Sequence, residues 1–379
     1  MDFSLTEEQK ALRDTAHRFA RDEIAPAARK YDAGDEFPMD ICVKAFGIGL
    51  MNTVVPEEFG GAGLSRLDEV IITEELAWGC MGITVCLMVN NLAATPLVIA
   101  GTPELQKEYL GPLCEEVMFA SYCMTEPGAG SDVAGIATTA KKVGDRYVLN
   151  GTKRFVTAGG VAKWFIVFAY TDKAKGHKGM SAFVVPKDTP GVTIGKKEDM
   201  MGQRASNTSE VIFEEVAVPA RNLLGQEGDG FAIAMKTFER SRPGIAAGGV
   251  GIGRSAMEQA IAYAKQRNAF GQPIAQFQAI QFMLADMAVD IQAARWLTWH
   301  AAWLSDRGKP SNTEASMAKA LAADSAMRIT TDAVQILGGY GFSREYPVEK
   351  MMRDAKVLQI YEGTSQIQRV VIARSLLKD

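Results

Sequence analysis

The 379-residue sequence is poor in the residues that most often carry metal-dependent or imidazole chemistry. Its three histidines, His17, His177 and His300, are too scattered to predict a zinc site or a Ser-His-Asp arrangement. The five cysteines form no C-x-x-C pair and lie among apolar residues, which is typical of reduced, buried thiols. We therefore predict no metal site and a reducing, cytoplasm-like compartment.

The sequence also lacks an unbroken membrane-spanning run and a basic field. Its longest apolar run, residues 81 to 100, is interrupted by Asn90, Asn91 and Pro96, so we expect an interior helix and no membrane insertion. The formal net charge of -4 disfavours binding to nucleic acid or to anionic membranes. Residues 1 to 5 show neither a signal-peptide nor a transit-peptide pattern, so we expect a soluble protein of the prokaryotic cytoplasm.

The order of helical and strand patterns predicts an α+β multidomain protein. Residues 1 to 120 are predicted to form a helical domain and residues 121 to 228 a small antiparallel β domain. Residues 229 to 379 are predicted to form an up-and-down four-helix bundle, because long helical patterns there are separated by Gly-Pro and Gly-Gly breaks.

Three local signals make this prediction more specific. Thr6 and Gln9 match a capping box at the start of the first helix, and Pro26 is expected to end that helix. Asn150-Gly151 lies between two strand-like runs and predicts a two-residue hairpin turn, because this pair suits the positive φ angles of a type I′ turn.

Two glycine-rich segments could bring backbone N–H groups close to a dinucleotide. Gly251-x-Gly253-x-x-Ala256 matches the dinucleotide fingerprint in its letters, but helical sequence rather than a strand precedes it. We interpret its small residues as helix-packing positions. Gly128-Ala129-Gly130-Ser131 is more informative, because it connects the helical and β domains, where a ligand can be held.

An acidic protein needs local cations if it is to bind a polyanionic ligand. Arg267 presents a fork of donors suited to a pyrophosphate, and Gln278 and Gln335 add amide donors. Arg242, in the segment Phe238-Glu239-Arg240-Ser241-Arg242, is a second candidate cation. Taken alone, each of these side chains is also consistent with an ordinary polar surface residue.

Three separate segments closely resemble motifs of the acyl-CoA dehydrogenases, in the same order along the chain. They are TEPGAGSD at residues 125 to 132, MRDAK at residues 352 to 356, and QIYEGTSQIQR at residues 359 to 369. The predicted α, β, α order agrees with that family along essentially the whole chain. The resemblance implies an FAD enzyme that desaturates acyl-CoA thioesters, with Glu362 taking the α-proton while the β-hydrogen passes to the flavin as hydride.

The resemblance also implies ligand contacts at the matching positions. For FAD these are Tyr122, Met124, Thr125, Gly130, Ser131, Phe155, Thr157, Arg267, Phe270, Gln278, Gln335, Gly339, Thr364 and Gln366. For the acyl-CoA they are Met88, Ser131, Phe238, Ser241, Arg242, Tyr361 and Gly363. Two positions depart from the family pattern: Phe155 stands where medium-chain members have Trp, and Ala269 replaces a hydroxyl residue.

Partners and substrate follow from the same resemblance. It implies a homo-oligomer, a tetramer built as a dimer of dimers that holds FAD across a subunit interface, and an electron-transfer flavoprotein as oxidant. Met88 matches the bottom of the acyl pocket in medium-chain relatives, which, unless Met88 is core filler, predicts an acyl group of roughly four to eight carbons.

The identity of the acyl group stays open at this level. A cyclic, aryl or branched acyl-CoA is the alternative to a linear chain. A glutaryl-type substrate is disfavoured, because the pocket helix at residues 84 to 95 contains no Arg or Lys to receive a second carboxylate. A non-catalytic scaffold that binds CoA thioesters is the alternative of another class.

Overall fold

The computed structural model describes residues 4–34 and 36–378, so most of the segment 1 to 5 lies outside the described residues. The chain follows the predicted order of a helical part, a β-sheet and a second helical part. The helices of the first part are α1 (Glu7–Phe19), α2 (Ala25–Ala33), α3 (Met39–Gly47), α4 (Arg66–Gly79), α5 (Met81–Ala100) and α6 (Pro103–Glu115).

The start of α1 confirms one prediction, and its end contradicts another. Thr6 and Gln9 form the predicted capping box, with Thr6 Oγ1 accepting from Gln9 N over 3.2 Å. Pro26 does not stop the helix. The chain passes through a π-helical turn, Ala20–Ile24, and Pro26 then lies in the first turn of α2, where its missing N–H leaves no hydrogen bond broken.

Helix α5 is long and apolar enough to span a membrane by length and composition, but 67% of its most apolar window is buried inside the protein. The amide groups of Asn90 and Asn91 donate hydrogen bonds in the interior, although Asn91 Oδ1 has no partner among the described residues. Asn90 Nδ2 donates to Asn52 Oδ1 over 2.8 Å, and Asn91 Nδ2 donates to Thr53 Oγ1 over 3.0 Å. The prediction of an interior helix is therefore confirmed.

The middle of the chain forms one eight-stranded, mainly antiparallel sheet. Its strands are β1 (Ala120–Cys123), β2 (Thr139–Val143), β3 (Arg146–Val156), β4 (Trp164–Tyr170), β5 (Met180–Pro186), β6 (Val192–Lys197), β7 (Ser209–Pro219) and β8 (Leu223–Leu224). The order is β6-β7-β3-β2-β4-β5-β8. β1 runs parallel to β4, which makes the sheet mixed. Every residue of β4 is buried, as expected for an unbroken apolar run.

The predicted hairpin at Asn150-Gly151 is wrong. Strand β3 continues through this pair, and its register against β7 shifts between Leu149 and Gly151, which is a β-bulge. The Asn150 side chain is used across the bulge, where its Oδ1 accepts from Glu215 N over 2.8 Å. The chain reverses earlier, at Gly144, whose φ of 61° permits the turn between β2 and β3.

The last part of the chain is a helical bundle, as predicted. Its elements are α7 (Gly230–Gln266), β9 (Asn268–Ala269), β10 (Gln272–Pro273), α8 (Gln278–Asp306), α9 (Asn312–Leu337), α10 (Val348–Lys356) and α11 (Ser365–Leu376). Gly251 lies within α7, where a Cβ would overlap the carbonyl oxygen of Glu74 on α4. The small residues of this segment therefore serve helix packing, and the Rossmann alternative is excluded.

The MRDAK segment joins the three parts of the molecule. Arg353 Nη2 binds Asp32 Oδ2 over 2.6 Å at the end of α2, and Asp354 Oδ1 accepts from Gln203 N over 2.5 Å in the sheet domain. Asp354 is 1% exposed, so this is an interior junction rather than a surface contact. Glu362 follows this junction by eight residues, after a 3-10 turn at Val357–Gln359.

Candidate active site

Glu362 lies in a short loop between α10 and α11 that has an unusual backbone. Glu362 and Gly363 both adopt positive φ values, 56° and 86°, and a non-glycine residue in this region is uncommon. The Gln368 side chain stabilises the loop from the first turn of α11, because its Nε2 donates to the carbonyl oxygens of Glu362 and Gly363 over 3.0 and 2.9 Å. The loop therefore has one defined conformation.

The Glu362 carboxylate is half-buried and faces α7. Ser241 Oγ donates to Glu362 Oε2 over 2.7 Å. Burial raises the pKa of Glu362 above its ordinary value, while the Ser241 hydrogen bond and the charges of Arg242 and Lys319 oppose that rise. A carboxylate with a raised pKa, bonded on one side only, has the properties of a general base.

Aromatic rings line the neighbourhood of this carboxylate. The Tyr122 ring lies 5.8 Å from that of Phe238 and 4.9 Å from that of Phe168, measured between centroids. Burial, and then the nearby Glu362 charge, raise the pKa of Tyr122 well above its ordinary value. The Tyr122 hydroxyl is buried and has no hydrogen-bond partner within the described residues, so it is available to a ligand.

Arg242 lies inside the protein rather than on its surface. It is 5% exposed, and its Nη1 donates to Asn312 Oδ1 over 2.8 Å and to Ser316 Oγ over 3.1 Å, both on α9. Burial lowers the pKa of Arg242, and the Glu362 charge opposes this. Its buried Nε makes no hydrogen bond among the described residues. The predicted cation thus lies near the Glu362 carboxylate, and its Nε–H is available as a donor.

Residues on either side of Glu362 serve mainly to hold the loop. The Tyr361 hydroxyl accepts from Gln203 Nε2 over 3.3 Å. Thr364 caps α11, with its Oγ1 accepting from Ile367 N over 3.1 Å, and Gln366 is exposed in the first turn. These placements leave the predicted ligand contacts of the three residues untested.

The TEPGAGSD segment is fixed by a buried ion pair. Lys153, on β3, is fully buried and donates to Glu126 Oε1 over 2.7 Å and to the Met124 carbonyl oxygen over 3.2 Å. Thr125 lies between these anchors and is half-buried, whereas Gly130 and Ser131 are exposed. A Cβ at Gly130 would meet nothing within 4 Å, so a ligand can approach this backbone.

At the end of β3 an aromatic ring is turned outward. Phe155 has a φ of 56° and is 52% exposed, and its ring lies 5.5 Å from the Arg154 guanidinium. The positive φ follows from a second register shift between β3 and β7. Thr157, just beyond, is half-buried, and its carbonyl oxygen accepts from Ser121 Oγ over 2.7 Å.

A separate cleft of about 630 Å³ opens at the end of the bundle. It brings together Arg267 and Gly339, which lie far apart in sequence, with Tyr263 and Tyr340. Arg267 forms no ion pair within residues 4–34 and 36–378, and its guanidinium lies 5.9 Å from the Tyr340 ring. Three further predicted FAD contacts are exposed: Phe270 and Gln278, which follow Arg267 in sequence, and Gln335, which precedes Gly339.

Met88 is the predicted site residue that these clusters do not include. It lies on α5, is half-buried and packs against the core of the N-terminal helices, whereas Tyr122 and Phe238 pack against a different core cluster. Its Sδ lies 4.0 Å from Asn91 Nδ2. Its role as pocket floor stays a prediction.

These features fit FAD. An exposed aromatic ring at Phe155, an open glycine backbone at Gly130, and an unpaired guanidinium at Arg267 beside aromatic rings match a flat ring system joined to a pyrophosphate. Phe270, 96% exposed, is a further ring without a protein covering. The chain thus offers the kinds of group that a dinucleotide needs.

Sequence reasoning missed three residues that build the site. In the sequence, Lys153 is one basic residue in a strand and Gln368 is one polar residue in a helix. Both donate to carbonyl or carboxylate oxygens that only the fold brings near, so no local pattern marks them. Lys319 Nζ donates to the Gly363 carbonyl oxygen over 2.6 Å. The sequence does contain a signal for Lys319, because this residue lies in an alanine-rich helical stretch, MAKALAAD, which predicts burial.

Comparison with known families agrees with the fold. The chain matches the N-terminal, middle and C-terminal domains of acyl-CoA dehydrogenase over residues 6–116, 121–216 and 228–377. The fold thus defines a flavin-dependent oxidoreductase of the acyl-CoA dehydrogenase class. The chain is a member of the acyl-CoA dehydrogenase family and an FAD-dependent enzyme.

Two curated relatives illustrate how similar the family members are. The short-chain specific acyl-CoA dehydrogenase of Clostridium acetobutylicum is 45% identical over 379 residues, covering 100% of both chains. The cyclohexane-1-carbonyl-CoA dehydrogenase of Geobacter metallireducens is also 45% identical, covering 100% of this chain and 99% of the relative. The chain is thus equally similar to a relative named for short chains and to one named for a cyclohexane-1-carbonyl thioester.

Solved structures show the same architecture. The butyryl-CoA dehydrogenase of Megasphaera elsdenii superposes with a TM-score of 0.97 at 44% identity, covering 100% of both chains. A chain from the structure of the electron transferring flavoprotein of Acidaminococcus fermentans gives 0.97 at 46% identity, again over 100% of both. PigA in its FAD complex gives 0.94 at 31% identity, over 99% of both chains.

Proposed function

We propose that the protein desaturates an acyl-CoA thioester to the trans-2-enoyl-CoA, with Glu362 as the base that takes the α-proton. The single observation that carries this assignment is the Glu362 carboxylate itself. It is held by Ser241 over 2.7 Å, its pKa is raised by burial, and it lies beside the aromatic rings of Tyr122 and Phe238. A desolvated carboxylate at this position is a stronger base than an exposed one.

The chain also offers a donor for the charge that develops on the thioester. The α-proton of a thioester is weakly acidic, so the carbonyl oxygen needs a hydrogen bond as it becomes negative. Within the described residues the backbone N–H of Glu362 makes no hydrogen bond, and we assign this donor to the thioester oxygen. FAD, when bound, would supply the two-electron acceptor, and the residues that would hold it are the Gly130 and Phe155 segments of one copy and the Arg267 cleft of a second copy.

Glu362→Gln tests the assignment of the base. The amide has nearly the shape of the carboxylate but cannot accept the proton, so we expect fold, FAD content and acyl-CoA affinity to persist while flavin reduction is lost. The measurement is anaerobic single-turnover mixing with an acyl-CoA, following the flavin absorbance. Reduction at a rate comparable to that of the unchanged protein means that another residue is the base.

For the substrate we propose a short or compact acyl group. Support comes from Met88 on α5 and from the relatives named as short-chain and cyclohexane-1-carbonyl-CoA enzymes. A cyclic, aryl or branched acyl-CoA is the second candidate, favoured by the latter relative. A panel of linear, branched and cyclic thioesters with an artificial acceptor ranks them by kcat/KM. If no thioester bleaches the flavin in the absence of air, the protein is instead the non-catalytic scaffold that binds CoA thioesters.

We further propose an electron-transfer flavoprotein as the oxidant of the reduced enzyme. The support is the 0.97 TM-score to a chain from the Acidaminococcus fermentans flavoprotein structure. The test is to mix the reduced enzyme with a purified electron-transfer flavoprotein and to record which flavin carries the electrons. Turnover with an artificial acceptor but none with the flavoprotein would remove this partner and leave the desaturation untouched.

The homo-oligomer is likewise a proposal, supported by an apolar stripe along α8. Phe282, Val289, Trp296 and Trp303 follow one another at intervals of seven residues, and they are 59%, 67%, 41% and 38% exposed. Residues seven apart lie on one helix face, so a second copy could cover the stripe. Light scattering of the FAD-bound protein measures the mass. Val289→Glu is expected to lower it, and a monomeric unchanged protein contradicts the proposal.

A further inference from the structure

Lys319 is a fully buried cation without a carboxylate partner of its own. It lies on α9, is 0% exposed, and donates from Nζ to the Gly363 carbonyl oxygen over 2.6 Å. Lys153 is equally buried but forms an ion pair with Glu126 over 2.7 Å. No such pair is formed by Lys319 among the residues that the structure describes. A lysine is almost never buried unpaired, so this position calls for a reason beyond packing.

The charged groups that face Lys319 come from three elements. Arg242 on α7 is the second cation, and the two acids are Asp324 on α9 and Glu362 in the loop. The Asp324 carboxylate is already occupied by three donors, Gln359, Ser365 and Arg369. Arg242 also faces Glu239, whose Oε1 accepts from Ser311 N over 2.8 Å and from Ser311 Oγ over 3.1 Å. Glu362 is the carboxylate that faces both buried cations.

Helix α9 connects this charge to the geometry of the base. Ser316 and Lys319 are three residues apart and so lie on one helix face. Ser316 Oγ accepts from Arg242 Nη1 over 3.1 Å, while Lys319 Nζ holds the Gly363 carbonyl. One face of α9 thus holds both the cation on α7 and the loop of Glu362.

The loop needs such support because its backbone is unfavourable. Glu362 and Gly363 have φ values of 56° and 86°, and their carbonyl groups are fixed by only two side chains among the described residues, Gln368 and Lys319. Gln368 contributes hydrogen bonds without charge, whereas Lys319 contributes both. The two side chains therefore offer a way to separate geometry from electrostatics.

We propose, on the basis that Glu362 is the base, that Lys319 is a positioning residue for the desaturation. Its ammonium group fixes the Gly363 carbonyl, so that the Glu362 side chain points toward the substrate. Its charge also keeps the Glu362 carboxylate ionised in surroundings that favour the neutral acid.

The titration behaviour agrees with this role. Burial raises the pKa of Glu362, and the charges of Arg242 and Lys319 act against it. Burial lowers the pKa of Lys319 to about 8, so Lys319 carries its charge at neutral pH. The other titratable groups that face Glu362 are Tyr122 and Tyr361, whose pKa values burial raises further above neutral, so they stay uncharged.

The test compares substitutions that remove charge and hydrogen bond separately. Lys319→Gln keeps a donor and loses the charge, Lys319→Met loses both, and Gln368→Leu loses neutral hydrogen bonds alone. Anaerobic flavin reduction by an acyl-CoA is followed across pH for each FAD-bound protein. Since the rate is read per bound FAD, an unfolded fraction lowers the amplitude and leaves the pH dependence readable.

A nearby cation lowers the pKa of a carboxylate, so its removal must raise it. Both Lys319 variants are therefore expected to lose activity at a higher pH than the unchanged protein as the solution is acidified. Lys319→Met should also lower the high-pH rate by about tenfold or more, because misplacing a reacting group by roughly 1 Å can cost about a hundredfold. Flavin reduction in Gln368→Leu should be slower, with the same pH midpoint as in the unchanged protein. Lys319→Arg keeps both the charge and a donor, so it should restore the original pH midpoint.

An unmoved midpoint in both Lys319→Gln and Lys319→Met overturns the inference and reduces Lys319 to a structural residue. Glu362→Gln distinguishes this failure from that of the proposed function. If Glu362→Gln is inactive while the midpoints are unmoved, Glu362 is still the base and only the role of Lys319 is wrong. If Glu362→Gln reduces the flavin normally, the proposed function itself fails.

Discussion

Ser241 Oγ donates a hydrogen bond to Glu362 Oε2 over 2.7 Å, across 121 positions of sequence. The hydroxyl is in the middle of α7 and the carboxylate in the loop before α11, so the contact exists only when the bundle is assembled. A hydrogen bond to the charged form of an acid favours that form. Ser241 therefore opposes the effect of burial on the pKa of Glu362 and also orients the carboxylate.

We expect Ser241→Ala to weaken the base by both routes. Losing the donor raises the pKa of Glu362 further, so less of it is ionised at neutral pH, and the carboxylate loses one orienting contact. A hydrogen bond to a charged group contributes about 1.5 to 3 kcal/mol, so flavin reduction should slow by about tenfold or more. Stopped-flow reduction across pH measures the rate and its midpoint.

Ser241→Thr is the matched variant, because it keeps a hydroxyl at the same atom. Its midpoint should stay close to that of the unchanged protein. If Ser241→Ala shows the original midpoint, the hydroxyl is not bonded to the carboxylate in the working enzyme.

The raised pKa of Glu362 also predicts an effect on stability. Well below the ordinary glutamate pKa, the carboxyl is protonated in the folded and unfolded chains alike, so its charge costs the fold nothing. As the pH rises, the unfolded chain releases its proton first, and stability falls until the pH exceeds the raised pKa of the folded state. Glu362→Gln should therefore melt at a higher temperature at neutral pH.

The free energy of unfolding of Glu362→Gln is expected to exceed that of the unchanged protein by about 0.5 to 2 kcal/mol at neutral pH, a usual gain for a stabilising substitution. In acid this difference should vanish. Thermal melting of the FAD-bound protein over a pH series measures it. Glu58→Gln, at an exposed position, serves as the control and should change the melting temperature little at any pH. A gain that is the same at every pH has a cause other than the charge of Glu362.

Helix boundaries in the bundle were largely predictable, because periodicity and breakers decide them. Gly308 and Pro310 fall between α8 and α9, and Gly338 follows α9 with a φ of 62°. The two local failures have a common cause. Pro26 and Asn150-Gly151 are strong signals in isolation, yet a π-helical turn precedes Pro26 and a β-bulge accommodates Asn150-Gly151, so the helix and the strand continue through them.

The site was predictable only in part, for a different reason. Glu362 lies in a recognisable motif, but the residues that shift its pKa and hold its loop do not. Arg242, Lys319 and Gln368 act through contacts with residues 5 to 120 positions away, and no local pattern specifies such contacts. Arg242 in particular was predicted only as a candidate cation for the acyl-CoA, and its burial against α9 was not predicted.

Arg267→Ala should weaken FAD retention and loosen the oligomer. Arg267 lines the 630 Å³ cleft with Gly339 and forms no ion pair in the described part of the chain, so its charge is available to a pyrophosphate. One charge-assisted contact contributes about 1.5 to 3 kcal/mol, equivalent to tenfold or more in affinity. Flavin released on dilution, read by fluorescence, and light scattering measure the two effects.

The control for this prediction is Arg146→Ala, an exposed arginine on β3. It should retain FAD and mass. Unchanged flavin content in Arg267→Ala removes Arg267 from the cofactor site, and flavin loss with an unchanged mass separates cofactor binding from assembly.

Met88 gives the last prediction, which concerns acyl length. If its side chain forms the floor of the acyl pocket, Met88→Gly deepens the cavity and shifts the optimum of kcat/KM toward longer chains. Each further buried CH2 then contributes about 0.8 kcal/mol. Because Met88 is half-buried in the N-terminal core, the substitution should also cost about 2 to 5 kcal/mol in stability.

Met287→Ala separates these two effects, since Met287 is 1% exposed in the bundle core, away from α5. It should lose similar stability and keep the original chain-length profile. The measurement is kcat/KM over linear thioesters of increasing length, with a cyclohexane-1-carbonyl thioester included. A profile that is identical in Met88→Gly and the unchanged protein places Met88 in the core alone, and the floor of the pocket must then be sought on another residue.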